Sequence, residues 1–208
     1  MKQRRIYVDI DDVLSATIER LIDLLEDHHG RRVEVKDVLH FDLEKSFDLS
    51  SAEIVTFMEA AHEDAVIESI VPAEGAGSVL ADWQSDGDEI ALVTGRPPST
   101  NAASKRWLST HGLAHDALHH LDKWGRPSWN QAGLPALRFD EIPALEFGFA
   151  VEDSLDTAVR LVEEFDLPVC LMDRPWNRST ESLPTNTRDR LLRCASWEDV
   201  ADASRSLG

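Results

Sequence analysis

Arg5-Ile6-Tyr7-Val8-Asp9-Ile10-Asp11-Asp12-Val13-Leu14 is the stretch on which the fold turns. A short apolar run breaks off into three carboxylates within four residues, Asp9, Asp11 and Asp12. Near-continuous apolar runs of this length suit parallel strands covered on both faces. The carboxyl ends of such strands are where open α/β sheets bind ligands. Like charges this close raise one another's pKa unless a cation neutralises them. A hard divalent ion such as Mg²⁺ takes oxygen ligands and would relieve that repulsion. Taken alone, the motif also fits a solvated acidic turn.

Working outward, short apolar runs alternate with helical stretches, the pattern of an α/β sheet. Glu89 to Thr94 reads as a second strand, entered through the turn Asp86-Gly87-Asp88. Ala117 to Leu121 is a third, Phe147 to Val151 a fourth and Pro168 to Met172 a fifth. Helices are expected between them, at Ala76 to Ser85, Thr100 to His111 ahead of Gly112, Leu155 to Phe165, and Trp197 to Ala203. The expectation is a Rossmann-like parallel sheet of about five strands flanked by helices.

Residues 16–71 break this rhythm. Ile18, Leu21, Ile22 and Leu25 form a helical stripe closed by Gly30. Ser50-Ser51-Ala52-Glu53 has the pattern of a capping box opening a helix through Ala65. The reading is a small helical cap, 16–71, inserted after strand one into a core made of 1–15 and 72–208. Two extra helices packed on the sheet are the alternative.

The later strand ends carry matching chemistry. Leu92-Val93-Thr94-Gly95-Arg96-Pro97 places a hydroxyl, a glycine with accessible backbone N–H groups and a guanidinium together, all suited to phosphate. An ordinary Gly-x-Pro turn fits equally. Asp122-Lys123-Trp124 follows the third strand, and Lys123 could neutralise charge on a transferring phosphoryl group. Lys105 is a competitor, but it lies mid-helix. The fourth strand ends in Glu152-Asp153-Ser154, acids that suit a hard metal or a helix N-terminus. The order carries the weight: carboxylates, then Thr, then Lys, then carboxylates.

The chain has 208 residues, with 21 Lys+Arg against 39 Asp+Glu and a formal charge of −18. That field disfavours polymeric nucleic acid and anionic membranes. No stretch approaches the ~20 apolar residues a bilayer requires, and the N-terminal apolar run stops too soon for a signal peptide. Cys170 and Cys194 read as buried free thiols of a reducing compartment, so a cytoplasmic protein is expected, as monomer or homodimer.

These residues resemble the haloacid dehalogenase-like (HAD) phosphohydrolase superfamily. Asp9-Ile10-Asp11-Asp12-Val13 is similar to its D-x-D-x-[TV] motif, Thr94 to the second-motif hydroxyl, Lys123 to the third-motif cation and Glu152-Asp153 to the fourth-motif acids. The resemblance implies Asp9 as nucleophile and Asp11 as general acid/base. It also implies Mg²⁺ on the Asp9 carboxylate, the Asp11 backbone carbonyl and a fourth-motif acid, with Asp153 the direct ligand ahead of Glu152. Val13-Leu14, Val93 to Pro97, Leu108 to Gly112 and Asp173-Arg174-Pro175-Trp176-Asn177-Arg178 are similar to cytosolic 5′(3′)-deoxyribonucleotidase-like proteins. Asp12 stands where the first motif commonly has glycine, and 124–139 is a long stretch between motifs three and four.

The implied activity is Mg²⁺-dependent hydrolysis of a small soluble phosphate ester, a (deoxy)nucleoside monophosphate among the candidates. The rivals are a sugar-phosphate phosphatase, a phosphotransferase and a non-catalytic protein that binds a phosphorylated ligand. Gly95, Arg96, Trp176 and Asn177 are the expected substrate contacts. His40, Phe41 and Phe57 of the cap are further candidates, with Phe57 better suited to the core. Trp124, Trp129 or Trp176 could stack on a base, and Arg126 and Asn130 share the 124–139 stretch.

Overall fold

The computed structural model describes residues 3–123, 125 and 135–207. Strand β1 (Arg5–Val8) leads into helices α1 (Thr17–His29), α2 (Leu43–Ser46), α3 (Ser51–Ala61) and α4 (Asp64–Ser69). The chain then continues through α5 (Ala76–Ser85), β2 (Glu89–Thr94), α6 (Asn101–Thr110), β3 (Ala117–Asp122) and β4 (Leu137–Arg138). After a 3₁₀ segment at Phe139–Leu145 come β5 (Phe149–Glu152), α7 (Leu155–Phe165), β6 (Val169–Met172), α8 (Thr185–Arg188), β7 (Leu191–Cys194) and α9 (Trp197–Ser204).

Among the described residues the strands form one parallel sheet in the order β4-β3-β2-β1-β5-β6-β7. The sheet has seven strands, not about five. The two that sequence reading missed are its edges. β4 is two residues long, and β7 is Leu191-Leu192-Arg193-Cys194, half-exposed and with a charge inside it. Short, polar edges blunt further pairing and give little apolar signal.

The strand order reverses at β1. From there the chain builds outward to β4, then returns to the other side of β1 with β5. Such a switch point opens a crevice at the carboxyl ends of the strands. β1 is central, and its pairing with β5 continues to Asp9, whose N–H donates to the Val151 carbonyl at 3.0 Å.

Strand alternation sorts the core into two layers. Ile6, Val8, Ile90 and Leu92 face α5, α6 and α9, where Trp83 meets Phe149 edge-on and packs against Trp197. Cys170 and Cys194 lie in this same layer, both buried. Tyr7, Val93, Ala150 and Leu171 face α7 and the 3₁₀ segment.

The helical stretch between β1 and α5 packs around its own apolar cluster, which includes Leu25, Phe47 and Phe57. The stripe on α1 is buried as expected, and Gly30 ends it with φ 62°, a left-handed conformation that glycine adopts without steric cost. The capping box at Ser50 and Glu53 forms, but that helix stops at Ala61 and a separate α4 follows. The chain leaves and re-enters the sheet side by side. Ala16 N–H donates to Val71 O and Ala73 N–H to Leu14 O, each at 2.8 Å.

Candidate active site

β1 ends in a tight turn. The Ile10 carbonyl accepts from the N–H groups of Leu14 and Ser15 at 2.9 and 3.1 Å and from the Ser15 hydroxyl at 2.9 Å. Asp12 takes φ 56° in this turn, a conformation that costs an L residue least when it is Asp or Asn. This explains why glycine suits the position and how an aspartate holds it. The Asp12 carboxylate also accepts from Ile18 N–H at 2.9 Å, satisfying a free donor in the first turn of α1. Arg174 adds its guanidinium to the Asp12 carbonyl, at 3.0 Å from Nε and 2.6 Å from Nη2.

Three strand ends converge. Asp9 after β1, Glu152 and Asp153 at the end of β5, and Lys123 after β3 share one buried cluster. A carboxylate oxygen from each of Asp9, Glu152 and Asp153 lies within 4.8 Å of the others. Lys123 Nζ stands 2.5 Å from Glu152 Oε1 and 3.5 Å from Asp9 Oδ1. Lys105 remains on α6, outside this cluster.

Glu152 is fully engaged. Its Oε1 also accepts from the Tyr7 hydroxyl at 3.2 Å, and its Oε2 accepts from the N–H groups of Asp153 and Ser154 at 2.9 and 3.0 Å. It therefore serves as the anchor of Lys123. Asp9 and Asp153 are the carboxylates better placed to offer oxygens to a cation. Asp153 Oδ2 accepts from the Trp176 indole N–H at 2.8 Å. Ser154 caps α7, its Oγ accepting from Thr157 N–H at 3.3 Å.

The electrostatics follow from this crowding. Burial, then the Glu152 charge, pushes the Asp9 carboxyl well above its ordinary pKa despite Lys123. Burial and Glu152 do the same to Asp153. Burial alone would lower the Lys123 pKa, but Asp9, Glu152 and Tyr7 outweigh it and hold the ammonium charged. The donor set is hard, anionic and buried, and its members repel one another; it fits a divalent cation bound by oxygen.

Asp11 behaves differently. Arg96 holds it through Nε at 3.0 Å to each oxygen and through Nη2 at 2.6 Å, and the Thr17 hydroxyl donates to it at 2.7 Å. Burial works to raise its pKa, but Arg96 and Thr17 win and lower it. Arg96, named from sequence as a substrate contact, is thus paired with the acid, with its guanidinium 4% exposed. Its loop is fixed from below by His120, whose Nδ1–H donates to the Arg96 carbonyl at 2.9 Å.

Thr94 is buried at the end of β2, where its Oγ1 accepts from Arg96 N–H at 3.1 Å. Gly95, Arg96 and Trp176 line the cavity. Asn177 does not, and the expectation that it contacts substrate is corrected. Its amide is buried, donating to the carbonyls of Asp153 and Met172 at 2.7 and 2.6 Å and accepting from Arg174 N–H and Arg193. Both amide atoms are committed, tying Asp153 of the motif-four loop to Met172, Arg174 and Arg193. His40 and Phe41 line the cavity, whereas Phe57 is core. Trp124, Arg126, Trp129 and Asn130 lie outside the described residues.

Sequence reading missed Tyr7, Thr17 and Arg174. Tyr7 had a signal, since a phenol facing the core of a central strand needs a partner for its hydroxyl. Thr17 and Arg174 act through contacts that only the folded turn creates.

Asp12 sets a pH dependence. Burial, then Asp11, raises its pKa from 3.8 to about 7, against the opposing Ile18 N–H and Arg174. A carboxyl whose pKa rises on folding favours the fold below its ordinary value, and that contribution is lost as pH climbs to the folded value. Metal-free protein is therefore expected to melt at progressively lower temperature between pH 4 and pH 7. Asp12→Asn keeps an acceptor for Ile18 N–H and tolerates the left-handed turn. It should flatten that slope, as calorimetry across the range would show.

Comparisons with known proteins agree with this architecture. No protein-family model matches the chain. A curated relative named "Putative nucleotidase", from Halalkalibacterium halodurans, is 28% identical over 199 residues, covering 96% of this chain and 91% of its own length. A structure described as a "predicted phosphatase" from Clostridium acetobutylicum superposes with TM-score 0.66 at 11% identity, covering 98% of this chain and 99% of that one. An HAD family hydrolase from Deinococcus radiodurans, solved with bound phosphate and sodium, gives TM-score 0.63 at 15% identity, covering 99% and 96%. A haloacid dehalogenase-like hydrolase from Streptococcus pneumoniae gives 0.61 at 14%, covering 97% and 98%. In its fold the chain is similar to these haloacid dehalogenase-like hydrolases and phosphatases over nearly its whole length.

Proposed function

We propose that the protein is a Mg²⁺-dependent phosphomonoester hydrolase acting on a small soluble phosphate ester through an aspartyl-phosphate on Asp9. The observation that carries this reading is the meeting of Asp9, Asp153 and a charged Lys123 at the floor of an open cavity. Asp9 and Asp153 would hold the ion, with the Asp11 carbonyl. Bound there, Mg²⁺ supplies charge neutralisation and a template for the phosphoryl oxygens.

Asp9 attacks phosphorus in line, and the ester bond to the leaving oxygen breaks. Lys123, held by Glu152, lies against the phosphoryl oxygens and offsets their charge. Asp11 serves the proton traffic. An arriving phosphate competes with Asp11 for Arg96, and loosening that pair raises the proton affinity of the Asp11 carboxyl. Asp11 takes up a proton from solvent, gives it to the leaving alcohol, and as carboxylate then takes one from the water that cleaves the aspartyl-phosphate. Phosphate leaves and Asp9 is restored.

The helical segment 16–71 acts as a cap over this floor, and it governs substrate choice together with the 174–180 loop. The nucleotidase name of the 28% identical relative favours a nucleoside monophosphate over a sugar phosphate. Among the described residues no helix is long and apolar enough to cross a membrane. A cytoplasmic monomer or homodimer belongs to the same proposal. The test is release of inorganic phosphate from p-nitrophenyl phosphate by purified protein in saturating Mg²⁺. No release would refute hydrolysis, and transfer of the phosphoryl group to an added alcohol at the expense of free phosphate would favour the phosphotransferase.

A further inference from the structure

The floor of the cavity is charged, whereas its roof is mostly apolar. The cavity measures about 510 Å³, within the range of small-molecule sites and far larger than a phosphoryl group needs. Above Asp9 and Lys123 it is walled by Leu21 of α1, Phe41 of the following loop, Ile54 and Met58 of α3, Ile67 of α4 and the ring of Trp176. These side chains come from separate elements; Leu21 and Ile67 are nearly buried behind, and Phe41, Ile54, Met58 and Trp176 offer most of the apolar surface. Phe41 stands 46% exposed at the mouth.

Polar groups at this level are few and in part already engaged. The Thr17 hydroxyl donates to Asp11. Asp42 caps α2 by accepting from Glu44 N–H at 3.1 Å and pairs with Lys45 at 3.1 Å. His40, His62 and Asp156 supply further polar edges. A polyhydroxylated leaving group would leave water for this roof and find few partners, which is unfavourable for each unmatched hydroxyl. A flat apolar body would cover Leu21, Met58 and Trp176 and shield Phe41.

We propose that the substrate is a phosphate ester whose leaving alcohol carries an apolar, ring-sized body bound between Trp176 and the α1–α3 wall, with selection against polyols. This rests on the phosphohydrolase reading of the floor and specifies what sits above it.

The test compares kcat/KM for 2-phenylethyl phosphate and glycerol 3-phosphate in saturating Mg²⁺. Both are unactivated alkyl esters, so the ratio reports the leaving-group site and not the ease of bond cleavage. The phenylethyl ester should be favoured by ~30-fold or more, the scale on which an apolar pocket discriminates. Met58→Gln, similar in size but polar, should narrow the ratio by ~5-fold or more. Val55→Gln, on the exposed face of the same helix, should leave it unchanged. Equal rates, a preference for glycerol phosphate, or a ratio indifferent to Met58→Gln would overturn the inference and leave the hydrolase reading standing. Failure to hydrolyse either ester or p-nitrophenyl phosphate would overturn both.

Discussion

Asp9→Asn is expected to abolish turnover while leaving the fold as stable as before, or more so. The amide has the shape of the carboxylate but cannot attack phosphorus, and loss of an enzymatic nucleophile costs on the order of 10⁵-fold or more in kcat. The stability half of the expectation comes from the surroundings. Asp9 is 3% exposed, and burial and the Glu152 charge both disfavour its ionised form. A neutral side chain removes that repulsion. Lys123 keeps its 2.5 Å partner on Glu152, so no buried ammonium is stranded. Phosphate release and a thermal melt on the same preparation check both halves. A variant retaining a substantial share of wild-type kcat would remove Asp9 from the chemistry, and an unfolded variant would remove the electrostatic account.

Chelation should have an effect of similar size. EDTA is expected to reduce phosphate release to background and added Mg²⁺ to restore it, because phosphate and Asp9 are both anionic and Lys123 alone supplies one positive charge. Binding should also be visible without catalysis. A ligand at ~100 times its Kd stabilises the native state by about 2.7 kcal/mol. For a chain of this length that is a rise of roughly 5–10 °C in Tm. Asp153→Asn should blunt the rise, since it removes a proposed ligand while the Trp176 indole keeps an acceptor. Full activity in EDTA, or a Tm indifferent to Mg²⁺, would contradict the metal assignment.

Much of this arrangement was legible in the sequence because strand ends declare themselves. The apolar runs before Asp9, Thr94 and Glu152 are long enough to mark central strands, and a parallel sheet brings their carboxyl ends to one side. The Ser50–Glu53 box and the α1 stripe were visible for the same reason, since each is a local pattern with a local cause. What escaped reading is non-local. β4 and β7 form because a neighbouring edge offers hydrogen bonds, not because their own residues demand it. Asn177 looked like a loop residue free to meet a ligand. Its burial depends on non-local hydrogen bonds, from its amide to the Asp153 carbonyl and from Arg193 to its Oδ1. Arg96 was read as a phosphate group's partner because nothing in a one-dimensional string reveals that Asp11 lies within reach.

The two cysteines have a practical consequence. Cys170 and Cys194 sit beneath α9 on neighbouring strands of one flank of the sheet, and they are the only thiols of the chain. A thiol reagent such as iodoacetamide finds both cysteines buried in the native fold. Alkylation therefore clocks the opening of that flank, and its rate with and without Mg²⁺ would tell whether occupancy at the far end of β1 tightens the whole sheet or only the crevice.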